Sequence, residues 1–267
     1  MTSMKIYILT DLEGPAMVFS FSQTRLPVDD PRKLPAMRLL TREVNACIDG
    51  ILSVEPHADV VVWDGHGSGG IAYDLLHDRA ELVGGTGAPA PYGMDATCDA
   101  LFFVGQHAMA GTPNAPLAHT YSSRTVEYYR LNGQPIGEFG MRAAMAGTLF
   151  EIPTLFCSGD DKAVAEAQAV VPALVGVTTK VGMGRESARS LSPAVARARI
   201  ASGAAAACHL VRQGRIAPFR ILPPYVFEVR VLAGQESSLE GYLTQGARQL
   251  DARTAVLETT DPMAVFR

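Results

Sequence analysis

Side chains that bind divalent metals follow three short apolar segments of this sequence. Asp11 and Glu13 come directly after the first segment. His66 follows the second segment and His107 follows the third. Carboxylates gathered in one place repel each other and take up protons unless a cation neutralises them. Carboxylate and imidazole ligands without a thiolate suit zinc, manganese or cobalt, and suit calcium less well. These residue types therefore predict a divalent-metal site.

The spacing of Asp11 and Glu13 adds detail to this prediction. Side chains two residues apart in an extended segment point the same way, so both carboxylates can face one site. Leu12, between them, is expected to point into the core. Asp64 precedes His66 by two residues and is a candidate to orient that imidazole, although a turn aspartate is an equally good interpretation.

Two further candidates lie downstream. Glu138 has a glycine on each side, at residues 137 and 140, and stands at the start of a predicted helix that runs to about residue 150. Glycines near a ligand allow the backbone to approach another element closely. His119 lies in a Pro- and Ala-rich loop twelve residues after His107. A loop histidine near a metal site is suited to transfer protons or to stabilise a tetrahedral intermediate.

The elements that must position these residues alternate between strand and helix. Residues 5–10, 59–63, 101–105 and 154–158 read as buried strands, residues 35–54 have the apolar spacing of a helix, and another helix opens at residue 160 or 161. This alternation predicts a mostly parallel sheet in a three-layer α/β domain. The carboxyl ends of parallel strands border one crevice, where such folds bind ligands.

Later segments depart from the alternation. Residues 126–131 and 134–136 flank Asn132-Gly133, which is typical of a β-hairpin with a type I′ turn. Residues 192–213 form an Ala-rich helix that starts Ser-Pro, and residues 225–232 and 254–259 read as strands flanking one more helix. We therefore predict a metal-binding α/β catalytic domain over residues 1–180 and a smaller α+β domain over residues 181–267.

Composition limits the possible partners. The chain has 267 residues, a net charge of -4 and 48% hydrophobic residues, so it lacks the basic field that nucleic acid or an anionic membrane requires. The four cysteines, about fifty residues apart, form no C-x-x-C pair and favour a reducing compartment. No segment is long enough for a signal peptide or a membrane span. We expect a cytoplasmic protein.

The ordered motifs resemble one family. The motifs, in chain order, are Asp11-Leu12-Glu13-Gly14, Trp63-Asp64-Gly65-His66, Val104-Gly105-Gln106-His107-Ala108, Ala118-His119-Thr120 and Gly137-Glu138-Phe139-Gly140. Together they resemble the zinc-dependent D-aminopeptidases of the dipeptide-operon type, the DppA family, over about residues 4 to 200. Downstream, residues 158–162 (Ser-Gly-Asp-Asp-Lys) and 190–193 (Ser-Leu-Ser-Pro) also fit the family pattern.

The resemblance implies a site with two zinc ions per subunit. In that family the aspartate matching Asp11 bridges both ions. Residues matching Glu13 and His66 complete one ion, and residues matching His107 and Glu138 complete the other. The histidine matching His119 is the catalytic residue. The family also forms a ring-shaped homo-decamer.

The chain departs from the family pattern in two places. Residues 15–19 are Pro-Ala-Met-Val-Phe where relatives tend to have Ile-x-Gly, and the loop between His107 and His119 is one residue longer. Neither departure touches a predicted ligand, but both reshape the predicted substrate pocket.

The function predicted from these observations is an aminopeptidase that hydrolyses short peptides, with an N-terminal D-amino acid such as D-Ala implied by the resemblance. A metal-bridged water attacks the scissile carbonyl and His119 assists. Cobalt or manganese stay open as the metal.

Three other functions remain as alternatives. A dinuclear phosphoesterase would use Arg124 or Arg142 near the metals. An NAD-dependent oxidoreductase would use the G-x-G-x-x-G loop from Gly65 to Gly70. A non-catalytic module would use metal only to hold the sheet, although structural zinc sites prefer Cys-rich tetrahedra, which this chain lacks.

Overall fold

The computed structural model describes residues 3–85, 87–214 and 216–266. Within them, a seven-stranded sheet has the order β3-β2-β1-β4-β7-β8-β9 and is parallel except for the β8–β9 pair. Its strands are β1 Lys5–Thr10, β2 Asp59–Asp64, β3 Ala80–Val83, β4 Ala100–Gln106, β7 Thr154–Asp160, β8 Val175–Gly184 and β9 Ser187–Ser190.

Helices cover both faces of this sheet. The α-helices are α1 Phe21–Thr24, α2 Leu34–Val54, α3 Glu138–Phe150, α4 Asp161–Val170, α5 Pro193–Gln213, α6 Glu240–Leu243 and α7 Pro262–Phe266, and 3₁₀ turns span Tyr73–Leu75 and Glu236–Leu239. Helices α2 and α5 pack on one face, whereas α3 and α4 pack on the other.

The apolar segments are strands because they are buried on both faces, and every residue of β4 and β7 is buried. The predicted mostly parallel, three-layer α/β fold is confirmed.

Local signals set the helix starts. The Asp160 carboxylate accepts hydrogen bonds from the backbone N–H groups of Lys162 and Ala163 at the start of α4. The Ser192 hydroxyl accepts one from Val195 at the start of α5, where Pro193 occupies the first helical position.

A second, antiparallel sheet has the order β11-β12-β10-β5-β6. Its strands are β5 Val126–Leu131, β6 Gln134–Pro135, β10 Tyr225–Val231, β11 Arg248–Asp251 and β12 Thr254–Thr259. The predicted hairpin is β5–β6, and Asn132 and Gly133 both have the positive φ that a type I′ turn requires, 52° and 79°.

The two sheets do not divide at residue 180. Strands β5 and β6 belong to the N-terminal part of the chain but pair with C-terminal strands, and β5 hydrogen-bonds to β10. Strand β8 runs across the boundary, and α5 packs against β7 and β8 of the first sheet. The division at 180/181 stays a prediction about domains.

The sequence pattern missed several short or exposed strands. Strand β11 is exposed throughout, and β9 alternates between exposed and half-buried positions. Neither has the apolar signal on which strand prediction relies. No helix in the described ranges has the length and apolar character needed to cross a membrane.

The order of the strands creates the site. Strand β1 pairs with β2 on one side and with β4 on the other. The strand order therefore switches at β1, because the next strands in sequence lie on one side of it and the later strands lie on the other. Parallel α/β sheets have a ligand-binding crevice at the carboxyl ends of the strands beside such a switch point.

Candidate metal centre

One group of candidate ligands lies after β1 and β2. Asp11, Glu13 and His66 each offer a ligand atom, and these atoms lie within 4.8 Å of one another. The Nε2 atom of His66 is 3.3 Å from an oxygen of Glu13. Both carboxylates are buried, with 6% of Asp11 and 2% of Glu13 exposed.

A second group comes from β4, the following loop and α3. His107, His119 and Glu138 also offer ligand atoms within 4.8 Å of one another. The Nε2 atom of His107 is 3.4 Å from Glu138 Oε1, and that of His119 is 3.8 Å from the same oxygen. The His107 and His119 rings stack with their centroids 4.0 Å apart.

Asp11 joins the two groups. Its Oδ2 atom lies 3.1 Å from Nε2 of His107, while its other neighbours, Glu13 and His66, belong to the first group. The fold thus brings together all five side chains predicted as ligands, along with His119, and Asp11 stands between the two halves.

Main-chain contacts fix the ring orientation of two histidines. The Nδ1 atom of His107 is 2.9 Å from the carbonyl oxygen of Ala108, and that of His119 is 2.8 Å from the carbonyl oxygen of Leu117. The carbonyl accepts a hydrogen bond from the Nδ1–H group, so in the neutral imidazole Nε2 is the nitrogen without a proton. Each Nε2 atom is therefore the nitrogen available to an ion held by the carboxylates, as in metal-binding histidines.

Glu138 is held by the loop that carries His119. The backbone N–H of Tyr121 donates a hydrogen bond of 2.7 Å to Glu138 Oε1. Tyr121 adopts a positive φ of 56°, an uncommon conformation for this residue type. This loop therefore orients one candidate ligand and positions a second imidazole.

The loop after β2 is anchored from two sides. The carboxylate of Asp64 accepts hydrogen bonds from the backbone N–H groups of Gly70 and Ile71. The buried Lys33 ammonium donates to the hydroxyl and carbonyl oxygens of Ser68. Asp64 thus acts on the loop that carries His66, whose Nδ1 lies 3.4 Å from the Ser68 hydroxyl.

The same loop argues against dinucleotide binding. A G-x-G-x-x-G fingerprint places the pyrophosphate at the N-terminus of a helix that follows directly. Here β2 leads through the loop into only a 3₁₀ turn, Tyr73–Leu75. The loop therefore lacks the helix that the oxidoreductase alternative requires.

A buried lysine that the sequence did not single out holds the segment after Glu13. Lys180 is 1% exposed and its ammonium donates to the carbonyl oxygens of Glu13, Pro15 and Val18. The buried Glu43 carboxylate of α2 also accepts a hydrogen bond from the backbone N–H of Ala16. Nothing in the sequence around Lys180 or Glu43 signals this role. Lys180 is 165 positions from Pro15, and Glu43 is 27 positions from Ala16.

The backbone after β1 also passes unusually close to that of β4. A Cβ atom on Gly105 would lie 2.0 Å from the carbonyl oxygen of Asp11, and Gly105 has a φ of 84°. A side chain at this position would push Asp11 away from His107. Glycine is therefore required here for two separate reasons.

Replacing Gly105 with alanine is expected to destabilise the protein by about 3 kcal/mol or more, since it combines backbone strain with a direct clash. Gly111→Ala is the matched control, because Gly111 has a φ of 82° with no atom near the added Cβ. That control should cost only about 1 kcal/mol. The measurement is the free energy of unfolding from chemical denaturation. If both variants lost the same free energy of unfolding, the backbones after β1 and in β4 would not be in tight contact.

Electrostatics in the cluster reflect buried acids that face imidazoles. Burial and the neighbouring Glu13 carboxylate raise the pKa of Asp11 to about 7. Burial opposes the charged form of His107, but the Asp11 and Glu138 carboxylates outweigh it and raise the pKa of that imidazole well above its usual value. Burial likewise opposes the ionised form of Glu138, yet His107 lowers the pKa of this carboxyl to about 2.

The pKa values of His66 and His119 shift in opposite directions. Burial opposes protonation of His66, but Glu13 beside it raises the pKa of His66. Burial and the neighbouring His107 lower the pKa of His119. His119 is therefore the imidazole most readily kept neutral at physiological pH, as a group that accepts a proton must be.

The donor set fits a divalent cation. Among the described residues, Glu13 Oε2 is buried without a hydrogen-bond partner, and His107 Nε2, although 3.1 Å from Asp11 Oδ2, is not in hydrogen-bonding geometry. Buried polar atoms in folded proteins are nearly always paired, and an ion is one explanation for those that are not. Three carboxylates and three imidazole nitrogens in two adjoining groups, with no thiolate, match the ligand preferences of zinc.

The cluster opens into a pocket of about 320 Å³. Its walls are Asp11, Glu13, Arg25, Gly65, His66, Gly67, Ser68, His119, Tyr121, Ser122, Ser123, Arg124 and Glu138. This volume accommodates a small substrate such as a short peptide. A separate cavity of about 280 Å³, lined by Tyr129 and Phe227 of the second sheet among others, does not include the metal-binding candidates.

Comparisons with known proteins agree with this geometry. The sequence profile of a family described as D-aminopeptidase matches residues 4–267. The D-aminopeptidase of Bacillus subtilis (strain 168) is 30% identical over 197 residues, which cover 72% of this chain and 69% of that protein. The solved structure of the Zn-dependent D-aminopeptidase DppA from Bacillus subtilis, a self-compartmentalizing protease, matches with a TM-score of 0.88 and 25% identity. The match covers 98% of this chain and 94% of that chain.

Proposed function

Because this chain belongs to the D-aminopeptidase family and is a metallo-aminopeptidase, a hydrolase, we propose that it removes the N-terminal residue of short D-amino-acid peptides with two zinc ions. The observation that carries the proposal is the joined pair of ligand groups around Asp11. A single ion would not need carboxylates and imidazoles on both sides of one aspartate.

The proposed ligands divide between the ions. Glu13 and His66 would hold one ion, His107 and Glu138 would hold the other, and Asp11 would contribute to both sets. The buried Glu13 Oε2 atom, which has no hydrogen-bond partner among the described residues, supports this assignment. The structural relative from Bacillus subtilis is described as Zn-dependent, which supports zinc over cobalt or manganese as the metal.

The ions, when bound, supply Lewis acidity that activates water and polarises the scissile carbonyl. The chain supplies the geometry. Its loop after β4 holds His119 at the pocket wall with Nε2 turned toward Glu138, because Nδ1 is engaged by the Leu117 carbonyl. We propose that this imidazole stabilises the developing oxyanion or moves a proton to the leaving amine. The buried position of Asp11 and Glu13 excludes bulk water from the floor of the pocket.

A small cavity beside the cluster supports D-Ala as the preferred N-terminal residue. It measures about 50 Å³ and is bordered by Asp11, Glu138, Trp63, Tyr121 and Arg142, among others. A space of this size takes a methyl group and rejects long side chains. Preference for the D configuration rests on the family to which the chain belongs.

We also propose a closed homo-oligomer, a decamer, in the cytoplasm. The description of the structural relative as self-compartmentalizing supports assembly. Exposed apolar side chains such as Leu222 and Met183, 70% and 66% exposed, support subunit contacts. The four free, buried cysteines support a reducing compartment. Light scattering that finds a 28.4 kDa monomer at micromolar concentration would rule out the assembly.

Exhaustive chelation is expected to abolish hydrolysis of D-Ala-D-Ala, and zinc should restore it at about two ions per chain. The measurement is hydrolysis of D-Ala and L-Ala dipeptides and of phosphate monoesters, with and without chelator, alongside elemental analysis. Full peptidase activity in metal-free protein would overturn the proposal. Chelator-sensitive hydrolysis of phosphate esters alone would favour the phosphoesterase.

A further inference from the structure

Two arginines line the metal pocket, and a third lies beside them. Arg25 and Arg124 line the pocket. The Arg185 guanidinium lies near the same place, its carbon 5.6 Å from the Phe21 ring centroid. Across the described ranges, no carboxylate forms an ion pair with any of these three side chains. The floor of the pocket is acidic, whereas its mouth is basic.

Clustered cations are costly to hold together. Burial, Arg124 and Arg185 each lower the pKa of Arg25, while Glu13 and Glu186 act in the opposite direction without contacting it. An anion placed among the guanidinium groups would relieve this repulsion. The cluster is thus an anion site by charge.

Arg25 is held in a fixed position. Its Nε donates a 2.9 Å hydrogen bond to the Ser123 hydroxyl, and its Nη2 contacts the Ser123 carbonyl at 3.3 Å. Its guanidinium carbon lies 3.5 Å from the centroid of the Phe21 ring. A guanidinium has five N–H donors, so three remain for a ligand. A planar, fixed guanidinium is well suited to bind a carboxylate.

The arginines and the metal cluster share one pocket and contact the same aromatic ring. The Phe21 ring centroid is 6.1 Å from that of His119 and 3.5 Å from the guanidinium carbon of Arg25. An extended peptide advances about 3.3–3.6 Å per residue. One or two residues beyond the scissile bond therefore bring a terminal carboxylate to the arginines.

We infer that Arg25 and Arg124 bind the free C-terminal carboxylate of the peptide substrate, and that this contact selects dipeptides and tripeptides. Arg185, whose guanidinium carbon is 5.6 Å from the Phe21 ring centroid, adds positive potential. The inference rests on the proposed aminopeptidase function and names the substrate class of the same pocket. A short peptide carries its amine to the acidic floor and its carboxylate to the basic mouth, so its charges complement both ends.

The test compares D-Ala-D-Ala with its C-terminal amide on the zinc-loaded enzyme. The wild type should hydrolyse the amide with a kcat/KM roughly tenfold to a hundredfold lower, mainly through KM, because a charge-assisted contact is lost. Arg124→Gln should lower kcat/KM for the free acid by about tenfold and leave the amide unchanged. In this variant, the ratio of kcat/KM for the free acid to kcat/KM for the amide should approach one.

Arg124 is the better position to change because it makes no hydrogen bond in the described structure, so its replacement should leave the melting temperature unaltered. Arg25→Lys is the second variant; it keeps the charge but loses the planar donors, and should reduce the preference for the free acid partially. Arg248→Gln, exposed on β11, is the matched control and should retain the full preference.

Each outcome separates this inference from the proposed function. A wild-type enzyme that hydrolyses the amide as fast as the free acid overturns carboxylate binding and leaves the aminopeptidase intact. Zinc-loaded protein that hydrolyses neither peptide overturns the aminopeptidase itself. Hydrolysis of a phosphate monoester that is lost in Arg124→Gln assigns the arginines to phosphate and overturns both.

Discussion

Replacing Asp11 with asparagine is expected to remove both metal ions and nearly all peptide hydrolysis. Asp11 belongs to the group with Glu13 and His66, and its Oδ2 atom lies 3.1 Å from His107 of the other group. A carboxylate has two oxygens with which to serve two ions, whereas the imidazole of His107 offers only Nε2. Asparagine keeps the volume but loses the charge that holds two cations together. Loss of several kcal/mol of metal-based stabilisation corresponds to a fall in kcat of about a thousandfold or more.

Metal content per chain, kcat and the melting temperature with and without added zinc measure this effect. Zinc should raise the melting temperature of the wild type but not of the variant, because only the former binds it tightly. Glu138→Gln should lose one ion more readily than both. Asp49→Asn, exposed on α2, is the control for carboxylate removal as such. An Asp11→Asn protein that retains two ions would refute the bridging role.

Replacing His119 with alanine is expected to lower kcat by about two to three orders of magnitude while the metal content stays the same. The imidazole has its Nδ1 fixed by Leu117 and its Nε2 near Glu138. A group that acts mainly on the transition state changes kcat more than KM. The melting temperature should change little, because the loop is also held by hydrogen bonds from its main chain to Ala108, Glu138 and Arg185.

The structure sharpens this experiment, because His119 also lies within ligand distance of His107 and Glu138. Steady-state kinetics with D-Ala-D-Ala and elemental analysis of the same preparation distinguish the two roles. Loss of one ion would make His119 a ligand and remove one of the five from the set. An unchanged kcat with both ions present would show that His119 has no catalytic role and that its loop is only structural. His209→Ala, exposed on α5, controls for the loss of a histidine.

The sequence by itself determined the layers of the fold and the residue types of the site. The apolar segments at residues 59–63, 101–105 and 154–158 became central parallel strands because burial on both faces demands an uninterrupted apolar run. Since parallel strands end at one edge, the polar residues that follow them had to meet there. Asp11, Glu13, His66 and His107 were found in this way.

Glu138 and His119 needed more than spacing. They follow a hairpin and a proline-containing loop, where no periodicity predicts direction, and their interpretation came from the ordered motifs. Their position against His107 depends on the packing of α3 on the sheet and on the Tyr121 hydrogen bond to Glu138. These are tertiary contacts.

The tertiary structure alone decided how the site is supported and where its charges lie. Lys180 and Glu43 hold the segment after Glu13 from β8 and α2, across about 165 and 30 positions of the chain. Arg25 meets Arg124 only because α1 folds over the loop at Ser123. Local sequence carries no signal for such contacts, because it does not distinguish a buried lysine from an exposed one. Only in the folded chain do the surrounding carbonyl oxygens replace water as hydrogen-bond partners of the ammonium group.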